Sequence, residues 1–258
     1  MSFILETDAV SFSYEPNKRI INDVTLKFGR GEFHAILGLN GSGKSTLLKI
    51  LGGLLKPDSG SISSLGKVGI VFQNPDDQFV YSKVIDDVSF GPSNQNLSRI
   101  DVMERSLDAL SKTNLIDMKE RDIDSLSGGE KERAALAGCL ALNPDVLILD
   151  EVLSMIDSVA KVEYLELLQS LRRDGKTIII VTHDSAEASI ADFVHVIHSG
   201  EIVASGDPHD VLIDRVLFEN IGIDMTFATK LAYKMIERGV SFLRIPLSVE
   251  EFKEALCV

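Results

Sequence analysis

Nine consecutive residues, Gly38-Leu39-Asn40-Gly41-Ser42-Gly43-Lys44-Ser45-Thr46, fit the pattern G-x-x-x-x-G-K-[ST] in full. A loop of this composition can wrap so that consecutive backbone N–H groups face one set of phosphate oxygens, because its glycines permit the dihedrals and the close approach. A helix starting near Lys44 adds the positive end of its dipole. Lys44 is then placed to span the β- and γ-phosphates of a nucleoside triphosphate, and the Ser45 hydroxyl to ligate Mg²⁺. Gly38, Asn40, Gly41, Ser42, Gly43 and Thr46 complete the expected cradle.

The surrounding pattern supplies the strand and helix that such a loop needs. Phe33-His34-Ala35-Ile36-Leu37 reads as a buried strand running into the glycines, and a helix is expected over roughly Lys44–Leu51. Before them, Val10, Phe12 and Tyr14 alternate with Ser11 and Ser13, and Val24–Phe28 alternates as well. Both segments are expected as strands, with Gly29-Arg30-Gly31 as a turn. Ile62 and Val68–Phe72 add further strands, and from about Ser82 to Leu142 the pattern is helical. Val146-Leu147-Ile148-Leu149 is a continuous apolar strand of the kind found inside parallel sheets, and Thr177–Val181 is another. Between them a helix is expected over about Val159–Arg173. Phe193–Ile197 and Glu201–Ser205 read as a hairpin around Ser199-Gly200. In the last forty or so residues, Met225, Ala228, Leu231, Ala232 and Met235 recur at helical spacing, with Gly239 as a stop. Ser248-Val249-Glu250-Glu251 then opens a short final helix with a capping-box pattern.

A second motif narrows the family. Leu126-Ser127-Gly128-Gly129-Glu130-Lys131-Glu132-Arg133 precedes the apolar strand that ends in Asp150-Glu151. Together with the phosphate loop, this order and spacing resemble the nucleotide-binding domain of ATP-binding cassette (ABC) ATPases over roughly residues 3–215. The resemblance implies an α/β fold. Its parts are a RecA-like core, an N-terminal antiparallel β subdomain, a helical subdomain over about residues 82–142, and a small C-terminal extension. The nucleotide-binding domain then covers residues 1–215, and residues 216–258 form a dimerisation extension.

The resemblance also assigns roles. Two such domains pack head to tail, with ATP held between the phosphate loop of one and Ser127-Gly128-Gly129 of the other. Tyr14 stands where the family stacks adenine, Gln73 at its Q-loop glutamine, Asp157 at its D-loop aspartate and His183 at its switch histidine. Asp150 would hold Mg²⁺, with Gln73 and Ser45 as further ligands. Glu151 would polarise the attacking water as general base, and His183 would stabilise the transition state. The expected catalytic set is Glu151, His183 and Gln73, and the cofactors are ATP and Mg²⁺. The remaining histidines, His34, His195, His198 and His209, read as structural.

Three departures from the family pattern stand out. Glu130 replaces the usual glutamine and adds charge near a partner's nucleotide, with Lys131 or Arg133 expected to offset it. Val152-Leu153 replaces the more usual Pro-Thr type of pair, and Ile156 replaces the D-loop leucine.

Val71-Phe72-Gln73-Asn74-Pro75-Asp76-Asp77-Gln78-Phe79 and Asp87-Val88-Ser89-Phe90-Gly91-Pro92 resemble the energy-coupling-factor group, the cobalt, nickel and vitamin importers. That implies a second ABC ATPase subunit, a transmembrane scaffold subunit and a substrate-binding membrane subunit. It places the chain peripherally on the cytoplasmic face of the cell membrane. The competing readings are a soluble ABC ATPase of iron–sulfur cluster assembly, an ABC ATPase of DNA maintenance, and a nucleotide sensor that no longer hydrolyses. The DNA reading meets a formal net charge of −13, which repels a phosphate backbone, so no nucleic acid partner is expected. The sensor reading would normally lose Glu151 or His183, and both are present.

Composition agrees with a globular domain, 45% hydrophobic and 25% charged over 258 residues. Met1–Asp8 carries acids where a signal peptide carries lysine or arginine, and no apolar run approaches the roughly 18–20 residues of a membrane helix. Cys139 lies in an apolar run and reads as core, and neither it nor Cys257 suggests metal or disulfide chemistry.

Overall fold

The computed structural model describes residues 3–16, 18–154 and 156–256; Met1, Ser2 and Cys257, read above, lie outside them. In chain order the strands and helices are β1 (Phe3–Glu15), β2 (Lys18–Gly29), β3 (Phe33–Leu37), α1 (Lys44–Leu51), β4 (Ser59–Ser64), β5 (Val68–Val71), α2 (Val84–Ser93), α3 (Arg99–Lys112), α4 (Gly128–Ala141), β6 (Val146–Asp150), α5 (Ser158–Arg173), β7 (Thr177–Thr182), α6 (Ser185–Ala188), β8 (Phe193–His198), β9 (Glu201–Gly206), α7 (Pro208–Val211), α8 (Arg215–Ile221), α9 (Phe227–Ile236) and α10 (Val249–Leu256). Two compact units emerge. One holds residues 64–178 with short segments at 3–5 and 29–31; the other holds 6–28, 32–63 and the chain from 179.

In the first unit β5 and β6 are neighbouring strands. β5 and β6 run parallel, with Val68 opposite Val146 and Val71 opposite Leu149. Every residue of β6 is buried, as a continuous apolar run inside a parallel sheet requires. Helices α2, α3 and α4 pack on one another. Each of the last two starts at a serine: Ser98 Oγ accepts from Asp101 N at 3.2 Å, and Ser127 forms a reciprocal capping box with Glu130. Cys139 is buried on α4 and its thiol is pushed up to about 12 by burial, so it stays protonated and inert, as a core residue.

The second unit carries a three-stranded antiparallel sheet, order β2-β1-β4, and a run ordered β7-β3-β8-β9. Thr7 joins β1 to β2 through its hydroxyl, which donates to Val24 O and accepts from Leu26 N. β3 is buried throughout and pairs in parallel with β8, Leu37 opposite Val196. The expected hairpin is β8–β9, with a register shift at Val196/Ile197 and a tip in which Ser199 and Gly200 both take positive φ.

His34 on β3 and His195 on β8 form the buried middle of one hydrogen-bond chain. His34 Nε2 lies 2.9 Å from Glu32 Oε2, His34 Nδ1 lies 3.1 Å from His195 Nε2, and His195 Nδ1 lies 2.6 Å from Ser205 Oγ. A carboxylate only accepts, so with both rings neutral the protons have a single consistent placement: Ser205 donates to His195, His195 to His34, and His34 to Glu32.

Beyond β9, α9 is capped by Thr226 and held by the Tyr233 hydroxyl donating to Ile213 O at 2.6 Å. Ser248 caps α10 by accepting from Glu251 N, but the Glu251 carboxylate reaches Leu247 N, one residue upstream of the expected partner.

Candidate nucleotide site

The phosphate loop lies in the second unit, between the end of β3 and the start of α1. The helix begins at Lys44, and its N-cap is Gly43, with φ 107° and ψ 1°, a conformation that excludes a side chain bearing a Cβ at ordinary cost. No side chain caps α1 and no acid lies in its first turn, whereas α3, α4, α5 and α9 are each capped by a serine, aspartate or threonine. The first N–H groups of α1 therefore remain available to an anion. Lys44 is buried, and its ammonium donates to Leu39 O at 3.0 Å, so the one cation of the loop is held inside it. Ser42 Oγ is buried without a hydrogen-bond partner among the described residues. These features fit a phosphate group: uncapped N–H groups, a retained ammonium and an unmet hydroxyl at one turn.

Neighbouring segments brace the loop. Ser42 N donates to Leu39 O at 3.2 Å, Gly38 N donates to Thr182 O at 3.1 Å, and Gly200 N, at the hairpin tip, donates to Ser42 O at 2.9 Å. Ser45 is exposed on the first turn of α1. Thr46 Oγ1 and the Tyr14 hydroxyl share a hydrogen bond of 3.4 Å, which sets Tyr14 beside the start of α1. Tyr14 meets Phe12 edge to face at 4.9 Å and is 58% exposed. His183 is exposed directly after β7, on a turn fixed by Thr182, whose hydroxyl donates to the Glu187 carboxylate and accepts from Asp184 N.

The acidic residues lie in the first unit. Asp150 ends β6 and is buried; Glu151 follows with φ 49°, in the left-handed region. A non-glycine residue held there costs on the order of 1 kcal/mol and persists because its surroundings fix it. Here Ser154 does so, donating to Glu151 O from both its amide (3.0 Å) and its hydroxyl (2.7 Å). The Gln73 side-chain amide donates to Glu151 Oε2 at 3.3 Å, bringing together two residues 78 positions apart. Asp157 places its carboxylate on Val159 N and Ala160 N, capping α5. Val152 and Leu153, the unusual pair after Glu151, are both buried.

Ser127, Gly128 and Gly129 open α4, Ser127 and Gly128 exposed. Glu130 Oε2 accepts from both Ser127 N and Ser127 Oγ at 2.7 Å, and these bonds hold the Glu130 carboxyl below the usual carboxylate range. The expectation that Lys131 offsets the charge of Glu130 is corrected: Lys131 pairs with Asp76 at 2.7 Å. Arg133 pairs with Glu163 at 3.0 Å and adds only a minor pull on Glu130. Adjacent residues on a helix point apart, so Lys131 reaches a different neighbour.

Sequence reasoning read Gly200 only as a hairpin tip and did not single out Glu187 or the Asp76–Lys131 pair. The signals were weak: a hairpin tip, and partners far apart in sequence. As for the metal, Ser45, Gln73 and Asp150 offer oxygen donors only, the chemistry Mg²⁺ takes. Mg²⁺ is commonly held by one or two protein ligands together with substrate phosphates and water.

A family model described as ABC transporter matches residues 21–154. The chain belongs to the ABC transporter family. Among curated relatives, it is 39% identical to the energy-coupling factor transporter ATP-binding protein EcfA1 of Ligilactobacillus salivarius, over 98% of this chain and 95% of that protein. It is 40% identical to the protein of the same name from Enterococcus faecalis, over 93% and 92%. Among solved structures, cbiO1 from Clostridium perfringens, part of the ABC transporter complex cbiONQ, superposes with a TM-score of 0.79 at 32% identity, over 92% of this chain and all of that one. A dimeric ATP-binding cassette in a post-hydrolysis state with ADP and Pi superposes at 0.72 and 27% identity, over 79% and 98%. The fold is that of the ABC cassettes.

Proposed function

We propose that this chain is the ATP-binding and ATP-hydrolysing subunit that powers an importer of the energy-coupling factor type. The observation that carries the proposal is the uncapped start of α1 with Lys44 Nζ held in the loop before it, a receptor for a triphosphate built from backbone and one ammonium. Relatives named as ATP-binding proteins of such transporters, matched over nearly the whole chain, support the same reading.

In this reading Tyr14 stacks on adenine, and Gly38 to Thr46 wrap the phosphates. Bound Mg²⁺, held by Ser45, Asp150 and Gln73, would neutralise charge on the β- and γ-phosphates. Glu151 accepts a proton from the attacking water, whose oxygen bonds to the γ-phosphorus. The bond from that phosphorus to ADP breaks, and ADP leaves with the electron pair. Gln73, hydrogen-bonded to Glu151, orients the water. His183 donates to the γ-phosphate oxygens as charge builds on them. Ser127, Gly128 and Gly129 serve the nucleotide of a second ATPase subunit packed head to tail, and Asp157 lies at that seam.

The membrane partners are a transmembrane scaffold and a substrate-binding subunit, whose pocket selects cobalt, nickel or a vitamin. No helix among the described residues is long and apolar enough to cross a membrane. In this reading the chain attaches to those partners at the cytoplasmic face. A groove of about 850 Å³ lined by Ile85, Ser89, Val102 and Met103 suits a short helix from the scaffold, and exposed Tyr81 and Phe90 extend the apolar surface of α2. Residues 216–258 would help hold the ATPase pair together. The relatives named above favour this reading over the iron–sulfur and DNA-maintenance readings.

The test is Glu151→Gln, with Lys44→Ala beside it. Glu151→Gln is expected to keep ATP binding, lose at least about a hundredfold in turnover and accumulate a nucleotide-bound dimer. Lys44→Ala is expected to lose nucleotide binding or turnover. Parent-like hydrolysis by Glu151→Gln rejects the assignment of the base.

A further inference from the structure

The Q-loop segment is tied at one end to Glu151 and at the other to the first turn of α4. At one end, Gln73 Nε2 donates to Glu151 Oε2 at 3.3 Å. At the other, Asp76 accepts from Lys131 Nζ at 2.7 Å, and the Lys131 side chain is only 18% exposed. Lys131 N in turn donates to Ser127 O at 2.9 Å, the first main-chain bond of α4.

Between these ends the segment is cross-braced. Asn74 Oδ1 accepts from Asp76 N and Asn74 O from Asp77 N. Gln78 N donates to Pro75 O, and Gln78 Nε2 donates to Phe72 O at 3.3 Å, while Pro75 is buried. A short turn braced in this way moves as one piece rather than bending between its ends. All of these residues belong to one compact unit.

We infer that Asp76 and Lys131 are positioning residues that lock the Q-loop turn to the signature helix, so that a shift of Gln73 at Glu151 is delivered to Ser127. The inference rests on the proposed head-to-tail arrangement. There, Glu151 acts on the nucleotide in this chain's own phosphate loop, and Ser127 on the nucleotide in its partner's. The ion pair then makes the two composite sites report to each other through a single chain. The segment is one the sequence marks strongly, Gln73-Asn74-Pro75-Asp76-Asp77-Gln78, and its acid at position 76 has a defined partner in the lysine directly after Glu130.

The experiment compares the parent with Asp76→Lys, Lys131→Asp and the double exchange D76K/K131D. Each is isolated from membranes as the full chain with the subunits that copurify. ATP turnover and binding of a fluorescent ATP analogue are measured on the same preparations, with Lys44→Ala as the binding control. Each single reversal is expected to lower kcat about three- to tenfold while leaving nucleotide affinity within about twofold, and the double exchange to recover most of the loss. A general loss of fold would lower both readouts and would not be rescued by the exchange. Single reversals that turn over like the parent, or a double variant as slow as the product of the two singles, overturn the lock. If the lock variants are silent while Lys44→Ala abolishes binding and turnover, the lock alone fails. If the parent itself neither binds nor hydrolyses ATP, the functional reading fails and the lock with it.

Discussion

One oxygen of Glu130, Oε2, holds both polar groups of Ser127, the amide N–H and the hydroxyl, at 2.7 Å each. A serine hydroxyl has a single proton to donate, and a carboxylate competes for it against any phosphate that approaches. The same bonds hold the Glu130 carboxyl below the usual carboxylate range, favouring its charged, accepting form.

Glu130→Gln should therefore tighten ATP-driven association of the cassettes by about three- to tenfold, since the amide is a weaker acceptor and repels no phosphate. The capping box weakens at the same time, at a cost of about 0.5–1 kcal/mol in stability. Sedimentation with and without ATP reads the first effect and thermal unfolding the second. Unchanged association removes the idea that Glu130 restrains Ser127.

Glu132 is fully buried on α4, neither of its oxygens has a hydrogen-bond partner among the described residues, and burial raises its carboxyl to about 8. At neutral pH it is largely a neutral acid. Its folded pKa lies above the unfolded value near 4.5, so the folded state binds the extra proton between about 4.5 and 8. Stability is then lost as pH rises through that window, by at most about 1.4 kcal/mol per unit. Glu132→Gln should match the parent near pH 5 and exceed it in urea midpoint by a growing margin toward pH 8.5. A constant difference across that range contradicts the assignment.

The buried pair His34 and His195 predicts the opposite limb. Burial lowers His34 to about 4 and His195 to about 3, the latter also through its neighbour His34. Their contribution is complete above the ordinary value near 6.5 and is lost as pH falls toward 4, when the unfolded chain binds protons that the folded pair refuses. Denaturant midpoints should be flat in these two groups above about pH 7 and fall below 6.5, and His195→Gln should shallow that fall. An acid limb as steep in the variant as in the parent would count against the pair.

Gly200 has φ 83°, and a Cβ there would sit 2.3 Å from Ile20 O, a backbone atom that cannot swing aside. Its amide also braces the phosphate loop at Ser42 O. Gly200→Ala should cost more than about 1 kcal/mol in stability and raise the ATP concentration for half-saturation, although the position touches no proposed ligand. Calorimetry paired with nucleotide titration checks it; a loss of stability with unaltered ATP binding would show that the brace is dispensable.

Much of this molecule is written locally. The helix expected at Lys44–Leu51 forms with those bounds, because a glycine-rich loop leaves little else for the next turn to be. The hairpin at Ser199-Gly200 and the apolar strands at Val146 and Thr177 follow from alternation, continuous apolar runs and turn chemistry. What could not be read is which distant side chains meet. Lys131 pairs with a residue 55 positions away, and Gln73 reaches one 78 away. Neither pairing has a local signature, since each depends on how α4 and β6 pack beside the Q-loop turn. The chain-order neighbour of Lys131, Glu130, was the wrong partner for the same reason: proximity along a helix is not proximity across it.

Tyr14 is more than half exposed, meeting Phe12 edge to face and Thr46 through its hydroxyl. A base stacked on this ring would be sensed by its flatness, and that contact would not distinguish one purine from another. With the proposed stacking, GTP or ITP should support turnover almost as well as ATP, and the choice of fuel falls to whichever purine nucleotide the cell keeps in greatest supply.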